Sequence, residues 1–251
     1  MRRVPQTLAD TLLLQAPAML LAAGRGSRMR PLTDSCPKPL LALRGRPLMQ
    51  WTLQALARDG ATRVVVNTAW LGEQLPARFG DGSALGLDIA YSPEDPALET
   101  AGGIARALPW LGDVFWVAAG DVFAPDFVFD TAAVARFRAG DALAHLWLVP
   151  NPPQHPRGDF HLRADGIATS PAADDLAPRL TYSTIGLYRA ALFAPPWCDI
   201  PPGNPAGIAA PLAPLLRAAM AQGRVTAERH DGFWADVGTP ERLAQLQDPL
   251  P

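Results

Sequence analysis

The sequence predicts an α/β fold, with a mostly parallel, mixed central sheet flanked by helices and a small antiparallel insertion. Three observations lead there. Short apolar runs alternate with longer stretches at helical spacing, the pattern of strands joined by crossover helices. Apolar residues make up 49% of the chain and charged residues 18%, the balance of a packed domain and not of a disordered segment. The 251 residues contain no internal repeat and no linker-like stretch, so one large domain is the economical reading.

Residues 1–17 read as a loose N-terminal extension and 18–251 as the domain. Met1-Arg2-Arg3, the stretch 11–14 and Ala16-Pro17-Ala18 imitate a secretory signal, but Asp10 and Gln15 interrupt the apolar run such a signal needs. Strands follow at 18–23, 63–67, 87–91, 114–119 and 142–149, with helices between them at 48–58, 71–79, 101–108 and 131–138. In the first helix Leu48, Trp51, Leu53, Leu56 and Ala57 trace one apolar face. Alternation of this kind places parallel strands under helices on both faces. Beyond Pro150 the texture changes: 160–163, 166–169 and 180–188 read as strands joined by short loops, an antiparallel insertion or edge. A proline-rich loop spans 195–205. A helix at 208–221 carries the stripe Ala209, Leu212, Leu215, Leu216 and Ala219 despite Pro211 and Pro214. Strands at 224–229 and 233–237 and a helix at 240–247 complete the chain.

A net charge of −2 argues against recognition of nucleic acid by phosphate neutralisation, and no apolar run approaches the ~18 residues that cross a bilayer. Cys36 and Cys198 form neither a disulfide framework nor a metal cluster, and a reduced, cytoplasmic setting is expected. Of 22 basic residues only Lys38 is a lysine. Arginine is a planar fork, whereas lysine is a compact point charge on a flexible stem. The lone lysine is either a surface survivor of arginine-biased composition or a position where the fork would not serve.

The chemistry begins at Leu21-Ala22-Ala23-Gly24-Arg25-Gly26-Ser27-Arg28-Met29-Arg30-Pro31-Leu32-Thr33, where a strand runs into two glycines and an arginine-bearing loop. Glycines there let backbone N–H groups turn inward toward an anion. The dinucleotide fingerprint fails because it needs glycine where Met29 stands, and the P-loop fails because Gly26 is followed by Ser27-Arg28. A tight turn without function is the plain alternative for two glycines; Arg28 and the next segment argue against it. In Cys36-Pro37-Lys38-Pro39 the lysine is flanked by prolines, and Pro39 biases Lys38 toward extended backbone. A lysine so held beside an anion loop is suited to neutralising phosphate.

In these residues the chain resembles the sugar-1-phosphate nucleotidyltransferases, whose signature L-A-A-G-x-G-x-R-(M/L)-x-P-L-T followed by P-K-P it matches throughout. The likeness covers about residues 18–246. It is closest to a short bacterial branch acting on N-acetylmuramate 1-phosphate, with which the chain shares Asn67-Thr68-Ala69-Trp70-Leu71-Gly72, Gly80-Asp81-Gly82-Ser83, Tyr91-Ser92-Pro93-Glu94, Arg157-Gly158-Asp159-Phe160 and Trp234-Ala235-Asp236-Val237-Gly238-Thr239. The resemblance implies a single Rossmann-like nucleotidyltransferase domain that forms a nucleotide-sugar and pyrophosphate, with Arg28 and Lys38 as catalytic cations. It implies nucleotide contacts from Ala22, Ala23, Gly24, Gly26, Ser27, Arg28, Lys38, Asn67, Thr100, Gly102 and Gly103. Asn151 and Asp159 are the implied sugar-side residues. The implied substrates are UTP and N-acetylmuramate 1-phosphate, in peptidoglycan recycling. A mannose-1-phosphate guanylyltransferase or a glucose-1-phosphate nucleotidyltransferase is the nearest alternative. Partners would be these small molecules alone, with no nucleic acid or membrane, in a monomer or small homo-oligomer.

Two carboxylates need weighing. Asp121 follows the run 114–119 and Gly120, which places it at the carboxyl end of a buried strand, where ligands gather in open α/β sheets. Aspartate at a strand end is also a common turn former. For Asp236 the bland role is helix capping, but Thr239 before Pro240 is the better cap, which leaves Asp236 without a structural task. Two hard oxygen ligands from separate strands suit Mg²⁺, which keeps waters and binds substrate phosphates. The resemblance implies the same metal role for both.

Glu99-Thr100-Ala101-Gly102-Gly103 opens a helix with Thr100 as the expected cap; in the family this stretch lies against the base. His145, His155, His161 and His230 have no ligand spacing. The chain departs from its branch in three places: Ala119-Gly120-Asp121 for Asn-Gly-Asp, Ala101-Gly102-Gly103 for three glycines, and Tyr182-Ser183-Thr184-Ile185 for Phe-Ser-Gly-Ile. A glycosyltransferase on a related fold would not need the glycine-arginine loop with P-K-P. A catalytically inactive nucleotide-sensing subunit would be favoured by loss of either metal carboxylate, and both are present.

Overall fold

The computed structural model describes residues 15–172 and 175–248. Most of the expected loose extension, residues 1–14, lies outside them, as do 249–251 of the expected domain. Residues 15–17 are not loose. Ala16 is buried in the core, the carbonyl of Pro17 accepts from the Trp116 N–H at 2.9 Å, and Arg138 donates to the Gln15 carbonyl at 3.0 Å.

Strand β1 (Ala18–Leu21) leads into the glycine loop, which is built of single 3-10 turns at Ser27–Met29, Leu32–Asp34 and Lys38–Leu40. The hairpin β2 (Ala42–Leu43) and β3 (Arg46–Pro47) delivers the chain to α1 (Leu48–Arg58). There follow β4 (Arg63–Thr68), α2 (Gln74–Phe79), β5 (Asp88–Pro93), α3 (Glu99–Leu111), β6 (Val114–Ala119), β7 (Val122–Phe123), α4 (Thr131–Ala139) and β8 (Ala144–Val149). The second half contributes β9 (His161–Leu162), β10 (Ala168–Thr169), β11 (Thr181–Arg189), α5 (Leu212–Ala221), β12 (Val225–Arg229), β13 (Ala235–Asp236) and α6 (Pro240–Gln245).

The main sheet has seven strands in the order β12-β8-β11-β6-β1-β4-β5. Every neighbouring pair is parallel except those made by β11, which runs antiparallel to both β6 and β8. Alternate side chains feed two cores, as the two-residue period of a strand requires. Leu20, Val64 and Val66 join Met49, Leu53 and Leu56 of α1 on one face. Met19 and Val65 join Ile104 and Leu111 of α3 and Leu216 of α5 on the other. All six residues of β6 are buried, so the strand that ends beside Asp121 lies deep in the sandwich. No helix among the described residues is long and apolar enough to cross a membrane.

Two expectations are corrected here. Only β9 and β10 form the small antiparallel insertion; the third strand expected with them, β11, sits inside the main sheet, because its residues 183 and 185–188 are buried on both faces. The helix expected from 208 starts at Leu212. Pro211 caps it, and Pro214 falls in the first turn, where a missing N–H breaks no helical bond. Residues before it are held otherwise: Asn204 bridges the N–H and carbonyl of Ile208, and the N–H groups of Ala101 and Gly102 donate to the carbonyl of Ala210.

This close approach of α3 to residues 208–210 explains Gly102, where an added Cβ would strike the carbonyl oxygen of Ile208. Gly102→Ala should therefore destabilise the protein by about 1–3 kcal/mol, although alanine is the better helix former. A urea melt showing equal or higher stability would contradict that packing.

Candidate active site

The carboxyl ends of β1, β4 and β6 open onto a cleft of three adjoining cavities, of about 630, 430 and 340 Å³, all of which Thr184 lines. Ala22, Ala23, Gly24, Lys38, Asn67, Thr100 and Asp121 line the 430 Å³ cavity. Arg28, Asp121 and Asp236 line the 340 Å³ cavity. The cleft thus lies where open α/β sheets bind ligands.

The loop's three arginines are sorted by their partners. Arg30 and Arg25 reach the carboxylate of Asp34 at 2.7 and 3.4 Å. Arg25 also donates to the Thr33 carbonyl at 2.9 Å and lies 3.6 Å over the Trp70 ring, whose own N–H bonds the same carbonyl. Arg28 makes no ion pair among the described residues and faces the cavity. The N–H groups of Gly24, Arg25 and Gly26 likewise donate to no acceptor among them, which is the state of an anion-binding loop. Gly26 sits in the left-handed region at φ +64°, and a Cβ there would stand 3.2 Å from Cβ of Lys38. The loop glycine and the lone lysine are packed on each other. Ser27 lies in the exposed turn and does not line the cavities.

Lys38 is 11% exposed and ion-paired with Asp121, so it is not a surface survivor. Its backbone differs from the expectation: Lys38 opens a 3-10 turn closed by Leu40 N–H to Pro37 C=O at 2.9 Å, and only the preceding Pro37 is extended. Asp121 and Asp236 come together because β13 pairs with β7, with the Val237 N–H donating to the Asp121 carbonyl at 2.9 Å. Thr239 caps α6 as expected, its hydroxyl accepting from the Arg242 N–H. Asp236 is not without partners, however. Its carboxylate pairs with Arg242 and accepts from Gln154 Nε2 at 2.7 Å. No cluster of three or more metal-ligating side chains occurs among the described residues. Two carboxylates in one cavity suffice for Mg²⁺, whose remaining positions go to water and phosphate oxygens.

At the other wall, Asn67 accepts from the Ala22 N–H at 2.7 Å and donates to Glu94 at 2.8 Å; the second Glu94 oxygen accepts from the Leu98 N–H at 2.7 Å. Burial pushes the Glu94 carboxyl above its ordinary range, and the two hydrogen bonds pull it back only in part. This clamp starts α3 at Glu99, so Thr100 is inside the first turn and is not the cap. Gly102 and Gly103 do not line the cleft. They lie beneath it, Gly103 where a Cβ would stand 2.5 Å from Glu94 Oε1.

The two expected sugar-side residues separate. Asp159 lines the 630 Å³ cavity, one oxygen 3.0 Å from His155 Nε2 and the other accepting from the Tyr182 N–H at 2.8 Å. Asn151 lines a different hollow and is spent on structure, donating to the carbonyls of Pro156 and Arg179 and accepting from Thr181. Arg242, Gln154, Glu94 and Thr184 were not singled out from sequence. Two of them left a signal, Glu94 as the end of the shared segment Tyr91-Ser92-Pro93-Glu94 and Thr184 in its departure from glycine: Thr184 holds φ +63° at a bulge in β11, a conformation a β-branched residue rarely takes.

A nucleotidyl transferase family model matches residues 17–158. The N-acetylmuramate alpha-1-phosphate uridylyltransferase of Neisseria meningitidis serogroup B is 48% identical over 237 residues, 92% of this chain and 96% of that one. The protein of the same name from Caulobacter vibrioides is 33% identical over 90% of this chain and 94% of its own. The crystal structure of HddC from Yersinia pseudotuberculosis complexed with GMP-PN superposes with a TM-score of 0.70 at 15% identity, over 93% of this chain and 98% of that one, and shares the fold.

Thr184→Gly removes about 1–2 kcal/mol of left-handed strain and adds about 0.5–1 kcal/mol of unfolded-chain entropy, so its stability should stay within about 1 kcal/mol of the parent. Thr184→Val keeps the strain and loses the hydroxyl bond to the Ser183 carbonyl, 2.6 Å long, so it should cost about 1 kcal/mol. Denaturant titration of both variants checks the pair, and a Val variant as stable as the parent would remove the hydroxyl from the account.

Proposed function

The chain belongs to the nucleotidyl transferase family, and on that footing we propose that it joins UTP and N-acetylmuramate 1-phosphate into UDP-N-acetylmuramate and pyrophosphate in the cytoplasm. The observation that carries the reaction is the cleft's pairing pattern. Arg28 and the Gly24–Gly26 amides are free to take phosphate, and Lys38 stands between them and Asp121. The sugar and base are proposed from the relatives that match nearly the whole chain.

A phosphate oxygen of the sugar phosphate forms the new bond to the α-phosphorus of UTP. The bond from that phosphorus to the bridging oxygen breaks, and pyrophosphate leaves with the electron pair. A phosphate monoester loses its second proton with a pKa of about 6, so the nucleophile is already anionic and needs no base. Catalysis is then positioning and charge neutralisation. The loop amides and Arg28 hold the triphosphate in line, and Lys38 brings a desolvated charge to the phosphate that transfers. Asp121 and Asp236 would hold Mg²⁺, which when bound neutralises charge on the triphosphate and on the leaving pyrophosphate. The donor set fits, since both groups are hard oxygens in one cavity. Their cations, Lys38 and Arg242, hold the carboxylates oriented meanwhile.

A pyrophosphate-release screen of the four nucleoside triphosphates against a panel of sugar 1-phosphates tests the assignment directly, and preference for another pair would overturn it. Lys38→Met should lose about 3 kcal/mol of transition-state stabilisation, a drop in kcat of roughly a hundredfold or more, with Lys38→Arg recovering only part. Full activity in Lys38→Met would remove the lysine from the mechanism. Asp121→Asn and Asp236→Asn should each fold and lose about a hundredfold or more in turnover, because an amide is a poorer Mg²⁺ ligand. Parent-like rates at limiting Mg²⁺ would take that residue out of the metal site.

A further inference from the structure

Building on the N-acetylmuramate reading, we propose that Arg217, with Arg179 lining the same cavity, is the subsite for the carboxylate that this sugar carries on its lactyl ether. The 630 Å³ cavity adjoins the nucleotide cavity through Leu21, Glu99, Thr100 and Thr184, so a sugar whose phosphate reaches Lys38 has this space before it. Its wall is apolar at Val117, Phe160, Leu212 and Leu216. That surface does not serve a bare hexose, whose ring hydroxyls each want a polar partner, and it does serve the methyl groups of N-acetyl and lactyl substituents.

The charges of the cavity point the same way. Asp159 is committed to His155 and the Tyr182 N–H, and Glu99 stands exposed at the start of α3. Arg217 makes no hydrogen bond or ion pair among the described residues, and Arg179 donates only to the Asp175 carbonyl at 2.6 Å. Ten other arginines of the chain are ion-paired, whereas Arg217 stands exposed at the cavity wall with its guanidinium uncommitted. The cap and first residues of α5, Pro211, Leu212 and Ala213, lie in the same wall and add the partial positive charge of a helix start. A planar fork matches a carboxylate with two parallel hydrogen bonds.

The test compares three acceptors with UTP: N-acetylmuramate 1-phosphate, its lactyl carboxamide, and N-acetylglucosamine 1-phosphate, which lacks the lactyl ether. Arg217→Gln should raise KM for the first by about ten- to a hundredfold, with kcat little changed. It should have little effect on the other two, and Arg217→Lys should restore part of the loss. The parent enzyme should show a comparable KM penalty when the carboxylate is amidated. Equal effects on all three acceptors, or none on the first, overturn the subsite while leaving the sugar assignment intact. A parent enzyme that does not turn over N-acetylmuramate 1-phosphate but accepts a neutral sugar overturns the assignment itself, and the subsite falls with it.

Discussion

The amide of Asn67 is the constraint on which the site's geometry depends. It is buried at the end of β4, its oxygen holding the Ala22 N–H where β1 gives way to the glycine loop, its nitrogen holding Glu94. Glu94 in turn fixes the Leu98 N–H and so the point where α3 begins. One chain of three hydrogen bonds therefore sets the separation of the two walls of the 430 Å³ cavity. Breaking any link would leave a buried donor or acceptor unpaired, which costs more than the bond contributes. The burial that makes the clamp rigid also makes the Glu94 charge costly. The absence of a side chain at Gly103 follows, since a Cβ would intrude on the carboxylate.

Around that frame the charges are arranged in advance. The two carboxylates of the 340 Å³ cavity each already have a cation, Lys38 on Asp121 and Arg242 on Asp236. Cations without an ion pair are left over at the cavity walls, Arg28 at the 340 Å³ cavity and Arg217 at the 630 Å³ one. The backbone N–H groups of the glycine loop, by contrast, are donors held in place by the fold, and such donors need little reorganisation when negative charge arrives. The neighbouring arginines of the loop could not serve: Arg25 is spent on Thr33, Asp34 and Trp70, and Arg30 on Asp34.

Much of this was legible in the residues. Strand and helix periodicity located β1, β4, β6, α1 and the two faces of the sheet, because burial on a regular backbone imposes its own spacing. The glycine loop and the proline-flanked lysine stood out because both restrict local backbone in ways few other residues do, and the structure packs Gly26 on Lys38. Thr239 and Pro240 marked the start of α6 for the same reason. The misreadings have a common cause. Strand β11 looks like part of a local antiparallel insertion, yet pairs with strands dozens of residues away; Thr100 looks like a cap, yet Glu94, just past the end of β5, starts the helix instead.

The sequence by itself determined the alternation of elements, the glycine loop that follows β1 and the two carboxylates at strand ends, all of them properties written in short windows. Only the tertiary structure decided which groups remain free to act. Whether Arg28 or Arg25 faces the cleft, whether Asp236 is bare or paired, and whether Asn151 meets a ligand or the Arg179 carbonyl all depend on partners far off in the chain. A side chain's availability is what remains after the fold has satisfied its buried polar groups, and that sum is taken over contacts in space, which spacing along the chain does not encode.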